Sequence, residues 1–233
     1  EVDWARKQDL LAEIAFAMVE AGQDSIAESD FIVRLEEIQQ RQGDTPRGVV
    51  VLNELIQSGV LHAEGGNLSF FRSSFRDFFA GHHLYQRGDL DEFAPAHLFD
   101  RRWGGVIVFA AGLRRSNARL LDSFSASIAR RKAGAIDGIL GDDYFYGAYL
   151  TGRTLANSES ADHGAKVAAL RTTVLASSDS IPELEEMATE QFGNIGHIMA
   201  LIAAEQSFFV TVGVPWLRNQ FLSLIGDQEL SDN

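Results

Sequence analysis

The sequence predicts a mainly α protein in two regions: a first domain of helices carrying a small β-hairpin, then an α-solenoid-like array of helical hairpins. Three observations predict it. Apolar residues recur at helical spacing along most of the 233 residues. One Gly-Gly turn between two short strand-like runs, "VLHAEGGNLSFF", interrupts that pattern. After Gly88 only helical patterns follow. They are joined by short connections rich in Gly, Ser, Asp and Asn, and they pair at a spacing of roughly 40 residues.

The first helix is expected from Asp3 to Ala21, with Trp4, Leu10, Leu11, Ile14, Ala15 and Met18 on one apolar face and Gly22 as its stop. A second runs from Ser29 to Gln42, with Phe31, Ile32, Leu35 and Ile38 facing inward. The third occupies Pro46 to Ser58: Thr45 suits an N-cap, Pro46 the first helical position, and Gly59 ends it. Val60 and Leu61, then Leu68 and Phe70, bracket the turn "AEGGN". A fourth helix, Ser73 to Arg87, places Phe75, Phe78, Phe79, His82 and Tyr85 on one face, with Ser74 and Asp77 spaced as a capping box.

Three helices followed by a hairpin is the order of a winged helix. The hairpin would be the wing, and the aromatic helix would pin it to the body. The acidic segment "DLDEFAPAH" reads as a connection. Further helices are expected at Arg101–Leu113, Asn117–Arg131, Asp142–Asn157, Ala161–Ser177, Pro182–Phe192, Gly196–Ser207 and Val214–Ile225. The winged-helix domain, aromatic helix included, is thus assigned residues 1–98, and the helical-repeat, superhelical domain residues 99–233.

Composition narrows the function. With 45% hydrophobic and 23% charged residues the chain can bury a core and is not of the disordered class. It has no cysteine, which removes disulfides and thiolate metal sites and fits the reducing cytoplasm. A net charge of −13 disfavours generic binding to a phosphate backbone. The most apolar long stretch, His197 to Leu217, is broken by Glu205, Gln206 and Pro215, so a buried helix pair is expected there rather than a membrane span. The chain opens on "EVDWARKQ" with its first methionine at Met18, and is read as part of a longer polypeptide.

One ordered set of residues is more particular. Ser58-Gly59-Val60-Leu61 leads into the hairpin. Phe70, Ser74, Phe75, Asp77, Phe78, Phe79 and Ala80 follow, then Trp103, Phe109, Ala111, Gly112 and Leu113. This set, spanning Pro46 to Leu113, resembles the winged-helix region of NACHT-type signal-transduction NTPases of the STAND class. In that family a Leu-rich helix and "SGLL" precede the wing, and "F-x-H-x-S-F-x-E-Y/F-F-A-A" follows it. The resemblance implies that the winged helix folds over a nucleotide-binding domain, not onto DNA, and that a residue at the wing–helix junction touches the phosphate of bound ADP. The family has a histidine there; aligned on Phe70 and Phe75, this chain has Arg72. A guanidinium is a permanent cation and a good bidentate phosphate partner. The implied partners are the upstream nucleotide-binding domain of the same polypeptide and an unknown protein or ligand on the helical array, without nucleic acid or membrane. ATP or ADP is implied for the parent protein, with no cofactor in this part. The implied role is to restrain the nucleotide-bound core and relay sensing to oligomerisation, in innate immunity or antiphage defence.

Signatures of catalysis are missing from the residues themselves. There is no G-x-x-x-x-G-K-[ST], and the only lysines, Lys7, Lys132 and Lys166, follow no Gly-rich loop. Part of such a protein without these motifs is not expected to be an enzyme. His82 and His83 are adjacent and diverge by about 100° on a helix, which is poor geometry for one metal ion. Asp142 and Asp143 read as cap and first-turn residues, Ser73 and Ser74 lack a nucleophile context, and Glu183, Glu185 and Glu186 read as a solvated face. Tyr144, Phe145, Tyr146 and Tyr149 are either core or a ligand surface. Two alternatives stay open: a winged-helix DNA-binding regulator with a helical sensor domain, and a plain scaffold of helical repeats. Against the first, the segment Pro46–Ser58 offers one arginine, Arg47, offset by Glu54, with Asn53 and Gln57 and otherwise Val, Leu and Ile.

Overall fold

The computed structural model describes residues 3–45, 47–134 and 142–158, together with Lys166, Ala169 and Thr172. Among these the chain is mainly helical with one small antiparallel sheet. In order it forms α1 (Trp4–Glu20), β1 (Ser25–Ala27), α2 (Glu28–Arg41), α3 (Gly48–Gln57), β2 (Leu61–Glu64), β3 (Asn67–Phe70), α4 (Ser73–Arg87), α5 (Leu90–Ala96), α6 (Gly104–Gly112), α7 (Ala118–Ala133) and α8 (Asp142–Ala156). A single 3-10 turn covers Arg101–Trp103. The chain divides into two compact units. The first holds residues 1–90 and 102–114; the second holds 91–101 and the described residues from 115 onward.

In the first unit the hairpin forms where the two apolar runs predict it. β2 and β3 pair antiparallel with Leu61 opposite Phe70 and Glu64 opposite Asn67. Between them Gly65 and Gly66 both have positive φ, +59° and +78°. A two-residue turn that matches strand twist needs this conformation, and glycine adopts it without steric cost. The third strand, β1, was not expected. Ser25-Ile26-Ala27 pairs with the other edge of β3, Ile26 opposite Leu68, to give the order β1-β3-β2. Both apolar partners are buried.

Helix boundaries differ from expectation where side chains compete for the caps. α3 begins at Gly48 with Arg47 as its N-cap, not at Pro46 behind Thr45. The buried Gln39 side chain accepts the Arg47 backbone N–H at 2.9 Å and fixes the chain just before the first turn. Likewise the Ser74–Asp77 capping box does not form. Arg72 is the N-cap of α4, so Ser74 is already inside the helix, and Asp77 pairs with Arg76 instead. The acidic connection "DLDEFAPAH" contains a short helix, α5, with Leu90, Ala94 and Leu98 buried at four-residue spacing. Its Asp91 and Glu92 lie in the first turn, where the helix dipole favours them, and it ends one residue after Pro95.

α1 is the largest single contributor to the first core: Leu10, Leu11, Ala12, Ile14, Ala15, Met18 and Val19 are at most 2% exposed. It packs against α4, which packs in turn against α6. The second contact is close because α4 has a glycine there. A Cβ on residue 81 would stand 2.8 Å from the Val106 carbonyl oxygen and from the Phe109 Cβ. These neighbours decide the faces of α4. Phe79, Ala80, Gly81 and Leu84 are buried, whereas Phe75 and Tyr85 are 39% and 44% exposed. The single inward aromatic face expected for α4 is therefore corrected. α6, assigned by sequence to the second region, belongs to the first unit.

In the second unit α7 and α8 pack as a pair. Leu120, Leu121, Phe124 and Ile128 of α7 are buried, as are Tyr144, Ala148, Leu150 and Leu155 of α8. Asn117, just before α7, donates from Nδ2 to Ser158 Oγ at 3.0 Å, a buried hydrogen bond between the ends of the pair. The helices expected at 182–192, 196–207 and 214–225, and the apolar stretch 197–217, lie outside the described residues, as does most of that expected at 161–177. No helix among the described residues is long and apolar enough to cross a membrane.

Candidate functional site

The hairpin delivers the chain to α4 in a defined way. Phe70 closes β3 and is buried, in ring contact with Phe79 at 5.8 Å between centroids. The Phe71 N–H then donates to the Val60 carbonyl at 3.0 Å, holding the strand end. Because side chains alternate along a strand, the Phe71 ring points away from the core and is 61% exposed. Arg72 follows with extended backbone, φ −137° and ψ 142°, and its carbonyl accepts the first turn's Phe75 N–H at 2.9 Å.

Arg72 is exposed, and among the described residues its guanidinium makes no hydrogen bond or ion pair. No side chain caps α4, and its first turn contains no acidic residue. The positive end of the helix and the Arg72 cation therefore reinforce each other, an arrangement that favours an anion. Arg76, one turn along, is committed elsewhere. It pairs with Asp24 and with Asp77, and donates to the Gln23 carbonyl at 3.3 Å, tying α4 to the loop after α1. Of the two arginines at this junction, only Arg72 is available.

Exposed aromatic side chains continue along α4 and onto α6. Phe75 is more than a third exposed, Phe78 is half-buried, and Phe78 meets the Phe109 ring of α6 edge-on at 5.7 Å. Phe109 and Leu113, one turn apart, are themselves 36% and 38% exposed. Below them, Asp77 fills the space that a Cβ on Gly105 would need, at 2.2 Å from its Oδ2. Burial pushes the Asp77 carboxyl up, and the adjacent Arg76 only partly offsets this.

The remaining sequence candidates separate. His83, not His82, faces α1: its ring lies 4.9 Å from that of Phe16, and the same Phe16 ring carries the Arg87 guanidinium at 5.0 Å. Burial pushes the His83 imidazole down, partly opposed by Glu13. Among the described residues no group of three or more metal-ligating side chains converges. Asp143 is an α8 first-turn residue that pairs with Arg131 and accepts the Tyr144 N–H at 2.9 Å. Ser73 and Ser74 are exposed on α4. Glu183, Glu185, Glu186 and the Phe145 side chain lie outside the described residues.

The tyrosine group divides in two. Tyr144 is buried. Tyr146 and Tyr149 are half-buried with ring centroids 6.0 Å apart, and each lies under a guanidinium: Arg101 over Tyr146 at 5.5 Å and Arg153 over Tyr149 at 5.8 Å. Sequence reasoning missed both arginines. Arg153 stands four residues after Tyr149, a spacing that could have been read; Arg101 arrives from 45 residues away.

On the α1–α2 side, a groove of about 280 Å³ is lined by Ile14, Ala17 and Ile38, with Glu13, Arg34, Glu37 and Arg41 at its rim. Glu13 and Arg41 pair across it. Comparison with protein-family models, with curated proteins and with solved structures returns no match.

Proposed function

We propose that the chain is the regulatory, sensor-side part of a NACHT/STAND-type NTPase. The first unit is then a winged helix whose wing is the β2–β3 hairpin, and the second begins an α-solenoid-like superstructure. In this reading the parent polypeptide carries its nucleotide-binding domain upstream and works in the cytoplasm with ATP and ADP. The part described here binds no cofactor of its own and catalyses nothing. It docks on the ADP-loaded core, with Arg72 reaching the phosphate and the exposed aromatic side chains covering protein. Exchange of nucleotide or arrival of a ligand releases it towards oligomerisation, as innate immune or antiphage signalling requires. A switch of this kind works only through a difference in binding free energy between the two states.

One observation carries the reading. The helix–strand–helix–helix–strand–strand order, with sheet order β1-β3-β2, runs straight into an unpaired Arg72 at the start of α4, between exposed Phe71 and Phe75. The solvent side of α3 supports a protein-facing role over a DNA-facing one. It presents Val49, Val50, Asn53 and Gln57, while Val51 and Leu55 are buried and Glu54 pairs with Lys7 at 2.7 Å. A helix that reads base edges offers cations beside its amides along that side; α3 itself carries no Lys or Arg, and its leading end presents two valines.

The test is Arg72→Ala in the parent protein, beside Arg72→Lys. Loss of retained ADP and higher spontaneous signalling in the alanine variant, softened in the lysine variant, is the expected result. Unchanged nucleotide retention and unchanged signalling in both would remove Arg72 from the switch.

A further inference from the structure

Tyr146, Tyr149 and Arg153 follow one another at three- and four-residue steps, so they share one side of α8. The opposite side, with Tyr144, Ala148, Thr151 and Leu155, is buried. Arg101 joins the exposed side from the 3-10 turn, where its own carbonyl lies 3.4 Å from the Tyr146 hydroxyl. The result is a row of guanidinium, ring, ring and guanidinium, in the order Arg101, Tyr146, Tyr149, Arg153.

Two features set this row apart. The chain carries 13 more acidic than basic side chains, yet neither Arg101 nor Arg153 forms an ion pair among the described residues. Arg131, nearby in sequence to α8, does pair, with Asp143. The two guanidiniums are also held in place without a carboxylate. Each rests on a tyrosine face, and Arg153 donates to the Tyr149 hydroxyl at 3.3 Å. A guanidinium lying on a ring keeps most of its N–H fork free at the edge, already oriented and already relieved of part of its rotamer freedom. Burial raises the Tyr146 hydroxyl pKa, so that ring stays neutral beside the Arg101 cation.

We propose that this row is a docking site for an acidic protein segment, whose Asp or Glu carboxylates engage Arg101 and Arg153 bidentately while its backbone crosses the tyrosine pair. Charge complementarity chooses the occupant: Asp100 is close enough to act on Tyr146, but among the described residues it forms no ion pair with Arg101 or Arg153, and a carboxylate from outside supplies that pairing. Single-stranded nucleic acid is the poorer fit. Its bases need bare aromatic faces for stacking, and here a guanidinium covers one face of each ring. The site lies in the second unit and stands whether or not Arg72 contacts a nucleotide.

The experiment titrates a fluorescein-labelled deca-glutamate peptide into the full chain at low salt. A Ser/Gly peptide of equal length and an oligothymidylate serve as the other probes. The expected result is saturable binding of the acidic peptide alone, weakened by added salt. Arg101→Gln with Arg153→Gln should weaken it roughly tenfold or more. Arg101→Lys with Arg153→Lys should lie between, since the charge remains and the planar fork is lost. Tyr146→Phe, which keeps the ring, should bind as the parent does. Circular dichroism melting of each variant confirms that the fold is intact. Binding of the acidic peptide no tighter than the Ser/Gly peptide overturns the proposal. So does binding indifferent to the arginine pair in folded variants, or tighter arginine-dependent binding of the oligothymidylate.

Discussion

Arg72 and the Arg101–Arg153 pair are both arginines among aromatic rings, and they differ in what holds them. Arg101 and Arg153 lie on tyrosine faces at 5.5 and 5.8 Å, fixed before any partner arrives. Arg72 has exposed phenylalanines on either side in sequence, and among the described residues no ring contact, hydrogen bond or ion pair orders its guanidinium. A preorganised cation loses little freedom on binding, which suits steady docking. A free one must be ordered by its ligand, so more of its interaction depends on the ligand's presence. That is the property wanted at a contact made with one nucleotide state and broken with another.

The comparison can be broken most severely at the packing beneath the first surface. Gly81→Val puts methyl groups against the Val106 carbonyl and Phe109. It should cost about 1–3 kcal/mol by overpacking, read as a lowered denaturant midpoint at unchanged slope. A variant as stable as the parent would mean that α4 and α6 do not approach so closely.

Preorganisation in the second surface is sharpened by a double-mutant cycle on Arg101 and Tyr146. With Arg101→Ala and Tyr146→Leu, the coupling should be about 0.5–1 kcal/mol, as expected of a partly exposed cation–π pair. A cycle of zero would remove the distinction between the two surfaces. For Arg72→Ala the expected change in stability is the smallest, within about 0.5 kcal/mol, because the side chain is exposed and makes no hydrogen bond or ion pair among the described residues. A larger loss would show that Arg72 is structural.

His83 gives a pH arm to the same set. Burial against Phe16 holds its folded-state pKa below the ordinary histidine value, so below about pH 6.5 the unfolded chain binds the proton more readily. Its contribution is therefore complete above that value and is lost as the pH falls through the window towards the folded pKa. Glu13, Arg87, Asp89 and His82 also act on it. His83→Phe keeps the ring contact without the proton, and its thermal midpoint should fall less than the parent's between about pH 7.5 and pH 5. Equal slopes would mean that His83 titrates as it does in the unfolded chain.

Local chemistry was legible in the sequence, and tertiary choices were not. Gly65-Gly66 between alternating apolar residues could make one kind of turn, and it did. β1 was hidden because three residues in a polar run carry no period; Ile26 becomes part of a strand only when Leu68 is brought opposite it. The faces of α4 were misread for a related reason. Spacing shows that Phe75, Phe78, Phe79 and Tyr85 lie near one another, but only the positions of α1 and α6 decide which are covered. Gly81 was the available sign of a close helix neighbour inside an aromatic helix. Arg72 could be named from sequence only through the family resemblance, which, aligned on Phe70 and Phe75, puts it at the family's phosphate-touching position. Arg101 could not, since 45 residues separate it from the ring that it covers.

The most direct measurement is a calorimetric titration of this chain into the nucleotide-binding region proposed for its parent protein, loaded with ADP, loaded with ATP, and empty. The account predicts tight binding to the ADP form that weakens with ATP and is lost with Arg72→Ala. Equal affinity for all three forms, or undiminished ADP-dependent binding by the alanine variant, would contradict it.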